Sequence, residues 1–443
     1  MQEKHTHSNI KHGLFIGLMV LLFLPMLQHL TQVVDVKPLK GSFKKVERPV
    51  FTYQNWFNDE YQAQQQAFLN QHIGFRSFFV RLYNQWHYSL YKEARAKSVV
   101  IGKQQFLYEE NYIQAHLGRD FIGEDAIKKK VTRLAYINDQ FAKKGIQLIV
   151  LLAPGKGSFY PEYIPEHYQP ELKTTTNYEV YQRELSTTTI HLLDFHQWFR
   201  SMKETAPYPL FPKTGIHWSR YGELLAADSL FRYINSIISH KKTPDMVFGD
   251  LTRSTSMKFT DDDIEKGMNL LFNIADLPMA YPQFELKTTS SLEQPKILTV
   301  ADSYYWGMFN SGFSRDAFHD GSFWYYHKRI FPISYTTPTD VSDINIIEAL
   351  EENDVVVLLS TDANLYKFAF GFIDQVYEAY ATMDQLPANK HSDEARLQFY
   401  IQLIKNDAKW LASIQQKAEK KQLPIEEAIR KNAQYMVWKE KQR

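Results

Sequence analysis

Four uninterrupted apolar runs dominate the hydrophobic pattern in the central part of the chain. A run without polar alternation is typical of a strand that is buried on both faces of a parallel sheet. Amphipathic helical patterns alternate with these runs: one covers residues 126–144 and ends at Gly145, and another begins after Ser219, a residue type that caps helices. The alternation predicts an α/β domain with a parallel, doubly wound sheet. The runs are IQLIVLLAP (146–154), IHLLDF (190–195), KILTVA (296–301) and DVVVLLS (354–360).

The flanking segments predict further helices and one hairpin. Residues 55–96 favour one or two amphipathic helices with a break at Gly74, and residues 97–112 favour a β-hairpin or two short strands. Residues 391–442 are charged and helical in pattern, and Pro424 marks a helix start there. These patterns divide the chain into a membrane anchor (1–34), a linker (35–54), the α/β domain (55–385) and a helical C-terminal extension (386–443).

The N-terminal segment 12–34 reads HGLFIGLMVLLFLPMLQHLTQVV and is apolar enough to cross a membrane. Its strictly apolar part, residues 13–27, is shorter than a full span and contains Pro25, so a cleaved signal peptide is the rival interpretation. The segment lacks the small residues of a cleavage site, which favours an uncleaved anchor. More Lys and Arg residues follow the segment than precede it, so the positive-inside rule alone predicts a cytoplasmic C-terminal part.

Composition excludes several classes of function. The net charge is +1, without the basic surplus that nucleic-acid binding needs. The chain has no cysteine, which excludes disulfides, thiolate zinc sites and a cysteine nucleophile. Aromatic residues make up 15% of the chain, which fits either a dense core or surfaces that stack on sugars.

Two short segments carry candidate chemistry. Ser303 follows Asp302 directly after an apolar strand, where the carboxyl ends of parallel strands gather ligands and catalytic groups. His217 lies in the loop-like segment FPKTGIHWSRYGE (211–223), just before a predicted helix. A serine nucleophile needs a base within hydrogen-bond reach, and histidine is the usual one. The pair therefore predicts acyl-transfer chemistry.

Three segments in order resemble the alginate O-acetyltransferase family of the AlgJ/AlgX type. They are LLAPGKGSFYPEYIP (151–165), FPKTGIHWSRYGELLA (211–226) and ILTVADSYYWGMF (297–309), and the similarity covers roughly residues 55–375. The resemblance implies an SGNH-hydrolase-like, flavodoxin-like domain with a parallel sheet flanked by helices. It also implies transfer of acetyl groups to the hydroxyls of exported or cell-surface polysaccharides.

The resemblance assigns roles to individual residues. The nucleophile of the family falls on Ser303 and the base on His217, whereas the acid of the family's Asp-x-His pair falls on Gly215. The candidates for oxyanion stabilisation or substrate binding are Asn364, with the backbone N–H of Ser303, and Lys156, Trp218 and Tyr160.

Three interpretations of the missing acid stay open. A backbone carbonyl near Gly215 could orient the imidazole of a Ser-His dyad, or the site could be degenerate and only bind glycan. A carboxylate elsewhere could also fill the space, and the candidates for this triad acid are Asp302, Asp362 and Asp120. Gly215 itself suggests a loop position with positive φ.

The resemblance further implies the cellular setting. It predicts no cofactor or metal, because the acetyl group comes from a donor or from a membrane-bound O-acyltransferase partner. It predicts a single-pass inner-membrane protein with its α/β domain in the periplasm, against the charge count. Two other functions use the same segments: a carbohydrate esterase, with water as the acceptor, and a non-catalytic glycan-binding subunit of an export complex.

Overall fold

The structure is a computed structural model that describes residues 2–41, 45–168, 174–384 and 393–441. Its strands are β1 (Val99–Ile101), β2 (Leu107–Glu109), β3 (Gln147–Ala153), β4 (His191–Asp194), β5 (Asp245–Ser254), β6 (Met279–Lys287), β7 (Ile297–Ala301), β8 (Phe323–Tyr325), β9 (Arg329–Phe331) and β10 (Val355–Thr361). Its helices are α1 (Gln2–Thr31), α2 (Tyr53–Phe57), α3 (Glu60–His72), α4 (Arg76–Tyr91), α5 (Glu110–Leu117), α6 (Glu124–Lys143), α7 (Lys156–Phe159), α8 (Asn177–Leu185), α9 (Phe195–Met202), α10 (Arg220–Ile237), α11 (Asp263–Met268), α12 (Trp306–Asn310), α13 (Phe313–Asp316), α14 (Ile346–Glu351), α15 (Phe372–Asp384), α16 (Asp393–Asn406), α17 (Ala408–Lys421) and α18 (Ile425–Lys441).

The central sheet has the strand order β4-β3-β10-β7-β8-β9. The four predicted strands form its middle and one edge, and they run parallel, as does β8. The edge strand β9 is antiparallel to β8, so the sheet is mixed rather than wholly parallel. Only residues 326–328 join β8 to β9, and a parallel crossover needs a much longer connection. The predicted SGNH-like α/β fold is otherwise confirmed.

Both faces of the sheet are covered, which explains the uninterrupted apolar runs. In β3, Ile149 and Leu151 belong to one hydrophobic cluster, while Leu148 and Val150 belong to the cluster on the opposite face. Side chains alternate between faces along a strand, so each face needs apolar residues when helices cover both. Helices α9 and α10 pack on the first face, and α6, α8 and α15 pack on the second.

An antiparallel hairpin, β5–β6, is inserted between α10 and β7. Its connection contains the short helix α11, which lies against β2. No element was predicted here from the sequence, because the hairpin is partly exposed and lacks the long apolar runs of the central sheet. This insertion proves decisive for the site.

The terminal segments agree with the predicted helices. In α1 the stretch Ile10–Thr31 has a mean hydropathy of 2.0 and is long and apolar enough to cross a membrane. Helices α3 and α4 are separated at Gly74, and α18 begins directly after Pro424. The predicted boundary between residues 385 and 386 lies outside the described residues, and the division into domains stays a prediction.

Helices α16–α18 have their own hydrophobic cluster, which includes Tyr400, Ile404 and Ile414. We therefore expect deletion of residues 386–443 to leave the α/β domain folded. Thermal unfolding followed by circular dichroism tests this. A fall in Tm of more than about 4 °C would contradict this expectation. In a domain of this size, such a fall corresponds to a loss of about 1 kcal/mol or more in the free energy of unfolding.

Candidate active site

Ser303 lies in a tight turn that Asp302 locks in place. Ser303 begins a 3-10 turn immediately after β7, and the Asp302 carboxylate accepts the Tyr304 backbone N–H at 3.1 Å. The other carboxylate oxygen accepts the backbone N–H and the hydroxyl of Thr361, both at 2.9 Å, and the amide of Asn364 at 2.8 Å. Asp302 thereby joins the ends of β7 and β10 and fixes the direction of the serine.

A buried lysine stabilises the loop that carries His217 by hydrogen bonds to its backbone. The Lys156 ammonium group is fully buried and donates to the carbonyl oxygens of Lys213 at 2.6 Å and Gly215 at 2.7 Å. The Thr214 hydroxyl donates to the Asp276 carboxylate, which also accepts the Lys213 backbone N–H. The loop therefore has little freedom to move.

His217 bridges Ser303 and a carboxylate from the inserted hairpin. Its Nε2 lies 3.0 Å from the Ser303 hydroxyl oxygen, and its Nδ1 lies 2.6 Å from Oδ2 of Asp263, the first residue of α11. The other oxygen of Asp263 accepts the Ile216 backbone N–H at 2.8 Å. The three side chains thus have the geometry of a Ser-His-Asp triad, in which the acid fixes the imidazole tautomer and stabilises the imidazolium.

The prediction that Asp302, Asp362 or Asp120 is the triad acid is wrong, because Asp263 is the carboxylate at His217 Nδ1. Asp302 instead accepts hydrogen bonds at the ends of β7 and β10, as described above. Asp362 accepts the Ala363 backbone N–H and lies 3.7 Å from Nε2 of another histidine, His196. Asp120 adjoins Asp362; burial, and then the Asp362 charge, raise its pKa to about 6. The dyad with a backbone carbonyl is wrong as well, because Asp263 occupies Nδ1.

Gly215 explains how Asp263 reaches the histidine. Its φ is not among the positive ones, which corrects the interpretation from the sequence. A Cβ atom at Gly215 would instead lie 2.7 Å from the carbonyl oxygens of Thr260 and Asp261. The missing side chain therefore makes room for the segment that leads into α11. The run Asp261–Asp263 was the available sequence signal, but no predicted element pointed to its place in the fold.

The other sequence candidates mostly support the loop rather than line the pocket. Trp218 is buried and packs edge-on against Tyr304, 5.2 Å between ring centroids. Tyr160 points its hydroxyl at the Phe211 carbonyl at 3.5 Å, and Lys156 faces the loop carbonyls. All three extend into the interior behind His217, which corrects their assignment as substrate contacts.

The pocket at the triad has a volume of about 300 Å³. Asn364 lines it, although its amide nitrogen already donates to Asp302 and Thr361. Tyr326, which was not predicted from the sequence, lines the pocket together with Ser303 and Asn364. The residues that line the pocket are Glu109, Asn111, Tyr112, Ile216, His217, Asp263, Ile264, Ser303, Tyr326, Asn364 and Lys367.

The charges around His217 favour its protonated form. Burial by itself lowers the pKa of His217, but the charge and hydrogen bond of Asp263, and then the charges of Asp302 and Glu109, raise it above the ordinary value of 6.5. Burial, followed by the Asp263 charge, raises the pKa of Glu109 in turn. The site is therefore arranged to stabilise an imidazolium, as a base needs once it has taken a proton.

Comparison with known proteins finds a similar domain for part of the chain. Residues 99–250 match the model of the SGNH hydrolase-like domain of acetyltransferase AlgX. Residues 99–250 are therefore similar to the AlgX domain. The resemblance seen in the sequence is thus confirmed for this part, which includes His217, whereas Asp263 and Ser303 lie beyond the match.

Individual relatives are distant. The probable alginate O-acetylase AlgJ of Pseudomonas syringae pv. tomato is 25% identical over 143 residues, which cover 32% of this chain and 34% of that protein. The chain thus matches about a third of the length of this AlgJ-type relative. The O-acetyltransferase domain of Pseudomonas putida AlgJ has a TM-score of 0.41 at 16% identity and covers 64% of this chain and 99% of that one. Pseudomonas aeruginosa AlgX has a TM-score of 0.39 at 15% identity, with 62% and 67% covered.

The triad geometry predicts a large effect of Asp263→Asn. The rate at which Ser303 reacts with an activated acetyl ester should fall by about 10⁴-fold, because the amide no longer fixes the tautomer or stabilises the imidazolium. The rate should rise with pH in both proteins, because only neutral His217 takes a proton. Its midpoint should lie above 6.5 in the parent chain and at lower pH in the variant, since Asp263 is what raises the histidine pKa.

Stopped-flow release of nitrophenol from p-nitrophenyl acetate between pH 5 and 9 measures both quantities. Asp120→Asn and Asp362→Asn serve as matched controls and should cost far less, because neither carboxylate contacts His217. An equal or larger loss in either control would mean that the acid lies elsewhere.

The close approach at Gly215 predicts that even a methyl group there impairs the site. Gly215→Ala must push back the Thr260 and Asp261 carbonyls and so displace Asp263, and about a 10²-fold loss is typical of a misplacement of roughly 1 Å. Gly215→Asp should be impaired for the same reason rather than activated.

Gly267→Ala, on α11 itself, is the matched control because its Cβ would have no neighbour within 4 Å. The same ester assay compares the variants. Parent-like activity of Gly215→Ala would show that the loop tolerates the side chain and that Asp263 does not depend on this contact.

Proposed function

We propose that this chain is an O-acetyltransferase that transfers acetyl groups through Ser303 to hydroxyls of an exported or cell-surface polysaccharide. The single observation that carries the proposal is the continuous chain of contacts from Asp263 through His217 to Ser303, at 2.6 Å and 3.0 Å, in a pocket open to a substrate. The match of residues 99–250 to an acetyltransferase domain supports acetyl as the transferred group.

The proposed reaction has two halves. The Ser303 hydroxyl oxygen attacks the carbonyl carbon of an acetyl donor while His217 Nε2 takes the hydroxyl proton. The departing donor group takes that proton from His217, and acetyl-Ser303 is left. A sugar hydroxyl then gives its proton to Nε2 and attacks the acetyl carbon, and Ser303 recovers the proton as it leaves. Asp263 stabilises the imidazolium in both halves.

The negative charge that develops on the acetyl oxygen needs hydrogen-bond donors. The backbone N–H of Ser303 in its 3-10 turn is one candidate. The Tyr326 hydroxyl is the second, because Tyr326 lines the same pocket as Ser303. Asn364 would hold Asp302 and Thr361 in place rather than donate to the acetyl oxygen, since its amide already donates to these two acceptors.

The apolar helix α1 and the similarity to the AlgX domain support a proposed cellular setting. We place α1 as an uncleaved, single-pass inner-membrane anchor with the α/β domain in the periplasm, where exported polysaccharides are modified. The acetyl donor would be supplied by a membrane-bound O-acyltransferase partner, and the chain itself needs neither metal nor cofactor. Protease protection of residues 50–443 in intact spheroplasts would contradict this orientation.

A covalent intermediate on Ser303 is the expected outcome that tests the function. The full chain in detergent, mixed with p-nitrophenyl acetate and quenched in acid, should gain the mass of one acetyl group. Ser303→Ala should abolish the gain, whereas Ser342→Ala, an exposed serine outside the pocket, should not. Acetylation that persists in Ser303→Ala would place the nucleophile elsewhere.

The acceptor distinguishes a transferase from an esterase. Added alginate oligosaccharide should speed the loss of acetyl-Ser303 and appear as acetylated sugar. Release of free acetate alone, at a rate independent of the sugar, would favour the esterase.

A further inference from the structure

Helix α4 has its amphipathicity reversed. Its polar side chains face the protein: Arg81 donates to the carbonyl oxygens of Lys37 and Pro38, both at 2.9 Å, and the Asn84 amide donates to the Met268 carbonyl at 2.8 Å. Most of its large apolar side chains face outward, whereas Tyr88 is buried in the core. In a helix of a water-soluble domain the apolar stripe faces the core instead.

The outward side chains form one continuous stripe, which we call the α4 stripe. At 100° per residue its members fall within about 140° of the helix circumference. They carry no charge, and each is 44–62% exposed. An uncharged aromatic patch of this extent marks an interaction surface rather than scattered exposed residues. The members are Phe78, Phe79, Leu82, Tyr83, Trp86 and Leu90.

The position of α4 relative to α1 indicates which surface covers the stripe. A Cβ at Gly74, two residues before α4, would lie 2.1 Å from the carbonyl oxygen of Pro25 in α1. Close by, Nδ1 of His29 lies 2.7 Å from the His72 carbonyl oxygen. Both contacts fall within the apolar stretch Ile10–Thr31, so α4 starts where that stretch would leave a bilayer.

We propose that α4 lies in the plane of the membrane, with the α4 stripe inserted among the lipid headgroups and upper acyl chains. Trp and Tyr concentrate at this depth of a bilayer, and helices that lie in the interface bury an apolar face with aromatic residues. The stripe from Phe78 to Leu90 is about 18 Å long, long enough to hold the domain against the surface at a second place besides α1.

This placement connects the membrane to the site. Asn84 of α4 holds the carbonyl of Met268, the last residue of the helix that begins with Asp263. The α/β domain would therefore be held close to the bilayer with α11 behind α4. The inference rests on the membrane anchor proposed above but not on the chemistry at Ser303.

The natural absence of cysteine allows a direct depth measurement. Leu82→Cys and Phe79→Cys in the full chain, labelled with a nitroxide, are reconstituted into vesicles of phosphatidylethanolamine and phosphatidylglycerol. Lys129→Cys, on the exposed face of α6, is the matched control. Power-saturation electron paramagnetic resonance then compares the access of molecular oxygen with that of a water-soluble nickel complex.

Both stripe positions should show a several-fold higher ratio of oxygen to nickel access than position 129. A ratio equal to that of position 129 would place the stripe in water and overturn the proposal. Shielding from both reagents would also overturn it, because a second protein surface rather than lipid would then cover α4. If the full chain does not float with the vesicles, both the membrane anchor and this inference are wrong. The formation of acetyl-Ser303 is measured in a separate experiment, so that result would not affect the proposed chemistry.

Discussion

The hydrogen bond between His217 Nδ1 and the Asp263 carboxylate is the interaction on which the proposed chemistry depends. It turns Nε2 toward Ser303 and lets the imidazole hold a proton in a site that otherwise disfavours charge through burial. The acid and the base come from different parts of the fold. His217 belongs to a loop next to α10, whereas Asp263 belongs to an insertion, so the contact exists only when the hairpin β5–β6 has docked.

The surrounding residues bring these two parts together. Gly215 has no side chain that would hold the inserted segment away, and Lys156 holds the histidine loop from the opposite side. Burial lowers the pKa of Lys156 to about 7, while the charges of Asp276 and Asp263 oppose that effect. A buried cation is costly unless it is well bonded, and here two backbone carbonyls and the faces of Phe106 and Tyr108 surround it. The lysine is thus a structural support of the site.

The features of the fold and the site that depend on local sequence pattern could be predicted. The strands β3, β4, β7 and β10 were visible as apolar runs because helices cover both sheet faces, and Ser303 and His217 followed from their places beside such elements. The acid could not be found in the same way. Asp263 lies 46 residues after His217 on a six-residue helix between the two strands of the inserted hairpin, and no periodicity connects it to the loop. The antiparallel strand β9 and the inward direction of Trp218 and Tyr160 depend equally on tertiary packing.

The most direct measurement of the central claim is the pKa of His217 itself, followed by NMR in the full chain through the ring carbon Cε1 of labelled histidine and assigned with His217→Gln. We expect a pKa above 6.5 in the parent chain and a clearly lower one in Asp263→Asn, because the Asp263 carboxylate opposes the effect of burial on the histidine. The same pKa in both proteins would mean that Asp263 does not hold the histidine, and the triad described here would be wrong.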